Sequence, residues 1–141
     1  MGYLYEHGQG VARDSAAALE WFRRAAEGGF DMAQYNLGMF YKDGRRVPKD
    51  LAAAVTWYRK AAAQGHAKAQ YSLGAMYGNG QGVAKDYVEA YFWFDLAAAN
   101  FKENEAAYRA LAIEQRDKVA ARISPAQRVA ALVRIRNWRP E

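Results

Sequence analysis

Apolar side chains recur along this chain at the spacings of helix faces. Leu37 and Tyr41 lie four residues apart, so both fall on one side of a helix. Ala54, Trp57 and Ala61 follow an i, i+3, i+7 spacing that also makes one helical face. The pattern predicts alternating first and second helices, the first at 31–43 and 67–78 and the second at 15–28, 51–64 and 87–100.

The same pattern repeats every 36 residues, which is the signature of a repeat architecture. Nine positions are identical in three successive copies, among them Trp21, Trp57 and Trp93. Each copy predicts one helical hairpin, and the three tryptophans are expected to share one environment. We therefore expect one continuous domain with an N-terminally incomplete repeat at 1–30, further repeats at 31–66 and 67–102, and two capping helices within 103–141.

A glycine-rich stretch joins the two helices of each hairpin. The third copy, "YGNGQGVAKD" at 77–86, has the look of a phosphate-binding loop ahead of a helix. However, Gly82 is replaced by Arg46 in the second copy, and the carboxylate of Asp86 already occupies the helix N-terminus. The stretch is therefore predicted to be a turn. Its recurring glycine is expected to take a positive φ at Gly8, Gly44 and Gly80.

Capping residues mark the ends of the second helices. Asp14, Asp50 and Asp86 precede them, where a carboxylate accepts hydrogen bonds from the free amides of the first turn. Glu89 follows Asp86 at a capping-box-like spacing. Left-handed C-terminal ends are expected at Gly28, Gly29, Gly65 and Asn100.

Two glycines fall inside the first helices, at Gly38 and Gly74. A glycine at such a position costs about 1 kcal/mol relative to alanine. Its recurrence predicts that a neighbouring helix approaches closely there.

The repeated motif A-x-x-x-L-G-x-x-Y…G-x-G-V-x-x-D…A-x-x-W-x-x-x-A-A resembles that of the Sel-one-like repeat (SLR) family, which is related to tetratricopeptide repeats. The resemblance covers residues 1 to about 101, and residues 104–138 resemble the C-terminal cap of bacterial members. Phe101 and Arg46 depart from the motif, each in place of a glycine. The third copy carries the motif at Ala69, Leu73, Gly74, Tyr77, Gly80, Gly82, Val83, Asp86, Ala90, Trp93, Ala97 and Ala98.

The resemblance implies an all-α fold, a right-handed α/α superhelix (solenoid) of helix-turn-helix repeats with two C-terminal capping helices. It also implies a scaffold or adaptor that binds other proteins and performs no catalysis. Family members serve in signalling, envelope and secretion-related processes.

Spacing along the first helices offers a groove for such a partner. The candidate groove residues are Met32, Tyr35, Met39, Lys42, Lys68 and Tyr71, with Tyr3 and Glu6 from the first repeat. We see no paired Lys/Arg and Asn that would clamp a peptide carboxylate, so an apolar or helical peptide is expected. The alternative is that Tyr35 and Tyr71 pack between repeats.

The net charge of +5 comes entirely from residues 109–141, which carry eight basic and three acidic residues. One interpretation is a solvated helix face. The alternative is binding of nucleic acid or an anionic surface. Its candidate residues are Arg128, Arg134, Arg136, Trp138 and Arg139.

Residues suited to catalysis are few. His7 and His66 lack partners at ligand spacing and are expected to be solvated. Asp95 lies among aromatic residues, where it is either a carboxylate with a raised pKa or a hydrogen-bonded structural residue. Since the chain has no cysteine, it has neither disulfides nor thiolate metal sites. We expect no enzyme activity, no cofactor and no metal.

The two ends of the array differ. Met1 aligns with Leu37, so we expect either upstream repeats in a longer protein or self-association through this edge. Without a signal peptide the default compartment is the cytoplasm, whereas a truncated start would allow the periplasm or secretion. At the other end, Ser124 with Gln127 predicts a capping box, and Pro125 fits the first helical position.

The helix before Ser124 has one stripe, with Ala112 and Ile123 beside it, that consists of Tyr108, Leu111, Gln115, Val119 and Arg122. On the last helix, four apolar residues are expected to cover the end of the core: Val129, Leu132, Val133 and Ile135.

Overall fold

The computed structural model describes residues 9–141, with side chains from residue 16 onward. Seven α-helices and one short 3-10 turn make up the regular structure of these residues, which contain no strand. The expectations for Tyr3, Glu6, His7 and Gly8 lie outside the described residues. The helices are α1 (Gln9–Glu27), α2 (Asp31–Asp43), α3 (Leu51–Ala63), α4 (Ala67–Asn79), α5 (Tyr87–Asn100), α6 (Ala106–Ala120) and α7 (Pro125–Asn137).

The helix boundaries follow the predicted pattern except in the first hairpin. There α1 begins at Gln9, not near residue 15, so Asp14 lies inside the helix and the N-cap prediction for it is wrong. The amides that follow Asp14 already have carbonyl partners one turn earlier. Asp50 and Asp86 do cap their helices, since Asp50 accepts from the Ala53 amide at 3.0 Å and Asp86 from the Val88 and Glu89 amides.

The capping-box prediction for Glu89 is wrong. The backbone amide of Asp86 donates to the Tyr77 carbonyl at 3.0 Å, so it is not free for a side chain of the following helix. Glu89 instead pairs with Arg134 of α7, with 2.5 Å between Oε2 and Nη1. The first turn of α5 is thereby tied to the last helix of the chain.

The turns between the helices use positive φ angles where the sequence predicts them. Gly44 and Gly80 have φ of 70° and 67°. Gly82 also lies in the left-handed region, and a Cβ there would stand 2.4 Å from the Leu51 carbonyl oxygen. Arg46, its counterpart, takes φ of 66° with a full side chain.

The left-handed helix ends are confirmed at two of the four predicted positions. Gly29 and Gly65 have φ of 100° and 98°, and the amide after each bonds back to the helix, as in a Schellman motif. Gly28 does not have a positive φ. Asn100 is the last residue of α5 and keeps a negative φ, because the chain there passes through an extended Phe101.

Aromatic rings fill the space above the mid-helix glycines. A Cβ on Gly38 would lie 2.8 Å from the Tyr58 ring, and one on Gly74 would lie 3.0 Å from the Phe94 ring. The predicted close approach is therefore that of a ring from the paired second helix. Leu37 and Leu73, the neighbours of these glycines, are fully buried.

The three tryptophans do not share one environment. Trp21 is 62% exposed, Trp57 is half-buried and Trp93 is 7% exposed. Trp57 packs against the core cluster of α1 and α2, whereas Trp93 belongs to the large central cluster. Burial of the indole therefore depends on the elements around each hairpin, not on the repeat position alone.

The capping helices bury mainly small residues. The expectation that Val129, Leu132 and Val133 cover the end of the core is wrong, whereas that for Ile135 is confirmed. Val119 and Ala112 of α6 are buried, but Tyr108 and Leu111 are 46% and 45% exposed. On α7, Val129, Leu132 and Val133 face solvent, whereas Ala131, Ile135 and Trp138 pack inward. A fully buried Ala131 lets α7 approach α5 closely, which turns the larger neighbouring side chains outward.

Candidate interaction surface

One side of the molecule is formed by α2, α4 and α6, and we call it the A-helix face. Met32 of α2 and Lys68 of α4 line a cleft of 360 Å³ at the N-terminal ends of these helices. The Lys68 Nζ lies 4.7 Å from the centre of the Tyr108 ring of α6. These contacts join the three helices into one surface on which Met32, Tyr108 and Leu111 remain exposed.

Tyr35 and Tyr71 pack between helices and keep part of their surface in solvent. The Tyr35 ring stacks on His66 with 4.8 Å between centroids and contacts Tyr58 at 5.7 Å. The Tyr71 ring lies 5.4 Å from Phe94. Burial raises the pKa of both Tyr35 and Tyr71, so both hydroxyls are donors at neutral pH.

The remaining groove candidates of α2 are less exposed than Met32. Met39 packs against the central core and is half-buried. Lys42 lies in the last turn of α2 and is also half-buried. The structure therefore places the six candidates on α2 and α4, with Met32 by far the most accessible.

A second cleft of 270 Å³ lies between the C-terminal halves of α4 and α6. Its floor is apolar and its rim is polar and basic. It continues the A-helix face beyond Tyr71, because Ala75 and Gly78 occupy the next turns of α4. The lining residues are Ala75, Gly78, Asn79, Tyr87, Phe94, Gln115, Lys118, Val119 and Arg122.

His66 is not solvated as the sequence suggested; it caps α4. Its Nδ1 accepts a hydrogen bond from the Ala69 amide at 3.1 Å, so this nitrogen carries no proton. Burial lowers the pKa of His66, and nearby Asp31 opposes that effect while Lys68 adds to it. The imidazole therefore acts as a neutral cap at physiological pH.

Asp95 is a hydrogen-bonded structural residue. Its Oδ1 accepts from Nη1 of Arg116 at 2.7 Å, and the two side chains are 18% and 27% exposed. Arg116 also pairs with Asp117 at 3.0 Å. Within residues 16–141, whose side chains the structure describes, no group of three or more His, Asp or Glu side chains is placed to hold a metal ion.

The basic residues of α7 do not form one free patch. Arg134 pairs with Glu89 and lies 4.0 Å above the Phe92 ring. Arg139 donates to backbone carbonyls of its own segment, and Trp138 packs against the core. Arg128 lies 6.0 Å from the Tyr91 ring centre, and Arg136 is exposed.

Sequence reasoning missed the α6 side of this surface. Tyr108 and Leu111 were identified only as part of a stripe, which continues into the polar residues Gln115 and Arg122. A stripe that ends in polar residues indicates a helix face that is partly exposed to solvent. Lys118 and Arg122 were missed as site residues because they lie outside the repeats, whose first helices supplied every groove candidate.

The fold defines an α/α solenoid of helix-turn-helix repeats with two additional C-terminal helices. The Sel1 repeat model matches residues 1–30, 31–66 and 67–100. The chain belongs to the Sel1 repeat family, whose members are generally protein–protein interaction scaffolds and typically lack catalysis.

Two solved structures are similar to this chain. The protein c5321, described as a protective antigen of uropathogenic Escherichia coli with an SLR fold, is 38% identical with a TM-score of 0.77. The match covers 86% of this chain and 25% of c5321, so this chain spans about a quarter of that protein. A Sel1 repeat protein from Oxalobacter formigenes is 45% identical with a TM-score of 0.60, over 66% of this chain and 70% of that one.

A comparison with curated proteins gives no match. None of the helices within residues 9–141 combines the length and hydropathy that a bilayer span requires.

Proposed function

We propose that this chain is a non-catalytic scaffold that binds a peptide or protein partner on the A-helix face, which forms the groove of the solenoid. Its structural units are the repeats at 1–30, 31–66 and 67–102, closed by residues 103–141. The observation that supports the proposal is the set of exposed apolar side chains on this face: Met32 is 68% exposed, Tyr108 46% and Leu111 45%.

These side chains suit an apolar or helical peptide. Full burial of a Leu- or Met-sized side chain contributes about 1.5–3 kcal/mol. Tyr35 and Tyr71 add hydroxyls from ordered rings, which lose little conformational freedom on binding. Loss of one apolar anchor should therefore weaken binding about tenfold or more.

The titratable groups support a role without catalysis. His66 is engaged by the Ala69 amide, and Asp95 is engaged by Arg116. The lowered pKa of His66 is explained by its burial.

The proposal is tested with a peptide selected from a displayed library on the purified chain. Titration calorimetry then compares the wild-type chain with the Met32→Ser and Leu111→Ser variants. We expect each variant to bind about tenfold more weakly. Val129→Ser changes a residue on α7 whose exposure lies between those of Met32 and Leu111, so it serves as the matched control and should bind as wild type. Equal affinity of all four proteins would reject the A-helix face.

A further inference from the structure

We infer that the cleft between α4 and α6 binds a carboxylate of the partner peptide. The inference rests on the proposed function, since the cleft continues the A-helix face. The carboxylate is a part of the partner that the exposed apolar residues do not determine. The inference also replaces the expectation that this surface has no carboxylate-binding groups.

The lining of the cleft has the composition of a carboxylate site. Ala75, Phe94 and Val119 provide an apolar floor suited to methylene groups. The rim contains hydrogen-bond donors of two kinds, amides and cations. They are Asn79, Gln115, Lys118 and Arg122, with the Tyr87 hydroxyl beside them. No acidic side chain is among the lining residues described.

The charge of Arg122 is available to a ligand. Its Nη2 donates to the Tyr87 hydroxyl at 3.2 Å, and its guanidinium lies 5.0 Å from the Tyr87 ring centre. Both contacts are to a neutral group, so they orient the guanidinium without cancelling its charge. Among the side chains described, those of residues 16–141, Arg122 forms no ion pair.

Lys118 is also available, although it has an acidic neighbour. Its Nζ lies 3.4 Å from Oε1 of Glu114, and both side chains are more than half exposed. An exposed pair of this kind contributes only about 0–1 kcal/mol. Lys118 can therefore exchange Glu114 for a carboxylate in the cleft at little cost.

An ionised carboxylate is matched to these donors. An ionised carboxylate accepts about four hydrogen bonds, and those from Lys and Arg are roughly twice as strong as neutral ones. A cleft of 270 Å³ holds a side chain or a chain end, not a folded segment. The ligand is thus an acidic side chain or the C-terminal carboxylate of a peptide whose apolar residues lie along α4 and α6.

Three blocked dipeptides test the inference by NMR on the 15N-labelled chain. N-acetyl-leucyl-glutamate amide offers a side-chain carboxylate, N-acetyl-leucyl-glutamine a terminal one, and N-acetyl-leucyl-glutamine amide neither. We expect the side-chain amide signals of Asn79 and Gln115 to shift saturably with one or both acidic probes. The neutral probe should leave them in place. The stronger of the two acidic probes identifies the source of the carboxylate.

Exposed variants connect these shifts to the two cations. Lys118→Gln and Arg122→Gln should each weaken binding of the acidic probe about fivefold or more. Lys49→Gln removes an exposed charge elsewhere and should have no effect. The inference is wrong if neither acidic probe shifts these signals up to its solubility limit, if the neutral probe shifts them equally, or if Lys118→Gln and Arg122→Gln bind like Lys49→Gln.

Its failure is distinguishable from failure of the proposed function. If Met32→Ser weakens binding of the selected peptide but the wild-type chain does not bind the acidic probes, only the carboxylate site is rejected. If the acidic probes bind but the Met32→Ser and Leu111→Ser variants keep full affinity for the selected peptide, only the apolar groove is rejected.

Discussion

Asn100 donates a hydrogen bond from its side-chain Nδ2 to Oε1 of Gln70 at 3.0 Å. The same bond occurs 36 residues earlier, where Gln64 donates to Gln34 at 2.9 Å. Gln70 is fully buried and donates in turn to the Ala62 carbonyl at 3.0 Å. The buried side-chain amide of Gln70 thus links α4 to the end of α3, which precedes it, and to the end of α5, its partner in the hairpin.

Replacement of Gln70 by methionine should destabilise the fold. The variant keeps the side-chain size but loses the hydrogen bonds of Gln70 to the Ala62 carbonyl, which retains the Gly65 amide, and to the Asn100 side chain. Two lost hydrogen bonds of about 0.5–1.5 kcal/mol each cost about 1–3 kcal/mol. Urea unfolding should show this loss for Gln70→Met and a change of less than about 0.5 kcal/mol for Gln81→Met on a turn. An unchanged unfolding midpoint for Gln70→Met would show that the side-chain hydrogen bonds of Gln70 contribute no stability.

Alanine substitutions at two glycines of α4 should have opposite signs. A Cβ on Gly78 would have its nearest neighbour at 3.7 Å, so Gly78→Ala should gain about 0.5–1 kcal/mol from helix propensity. A Cβ on Gly74 would lie 3.0 Å from Phe94, so Gly74→Ala should lose about 1–3 kcal/mol through overpacking. Thermal unfolding measures both. The same sign for both variants would contradict the packing described for Gly74.

The docking of α6 should depend on Asp95, whose charge is opposite to that of its counterparts in the two earlier repeats. Asp95 occupies the position that is arginine in the earlier copies, Arg23 and Arg59. Asp95→Arg would place a cation beside Arg116 and remove a charged hydrogen bond, at a cost of about 1.5–3 kcal/mol. Adding Arg116→Asp to the same chain should restore most of that stability.

Urea unfolding of the single and double variants measures this coupling. Asp43→Arg, at an exposed surface pair, is the control and should cost less than about 1 kcal/mol. A double variant no more stable than Asp95→Arg alone would mean that the pair does not hold α6.

Stability should fall at mildly acidic pH because of His66. Burial lowers the pKa of His66, so the folded state binds fewer protons than the unfolded state. The contribution is complete above the ordinary histidine pKa of about 6.5 and is lost as the pH falls through the lowered value. Asp31, Tyr35, Lys68 and Glu105 surround the imidazole, and burial has the largest effect on its pKa.

His66→Asn isolates this effect, because asparagine can also cap the helix and does not titrate. Unfolding free energies at pH 7.5 and at pH 5 should differ less for this variant than for the wild-type chain. The same pH dependence in both proteins would assign it to other groups.

Much of the fold could be predicted because the 36-residue period repeats the helix pattern, the turn glycines and the caps. The predicted span of α2, 31–43, and that of α5, 87–100, agree with the structure. The hydrogen bonds of Gln34 and Gln70 were not predicted, since glutamine usually lies on the surface, although the two residues are one 36-residue period apart. That recurrence was the available signal.

The capping helices were harder to predict. Neither α6 nor α7 repeats a pattern, and each has apolar residues on more than one side. The helices pack through Ala112 and Ala131, whose small size permits close approach, so larger residues such as Leu111 and Val133 face outward. The tryptophan environments differ for a related reason, since each depends on the helices packed around it.

The measurement that tests the central claim most directly is an NMR map of the chain with a library-selected peptide bound. We expect backbone amide shifts on α2, α4 and α6, largest near Met32, Tyr71 and Leu111, with α3 and α7 little changed. Shifts confined to α7, or to the outer surface of α3, would contradict binding on the A-helix face.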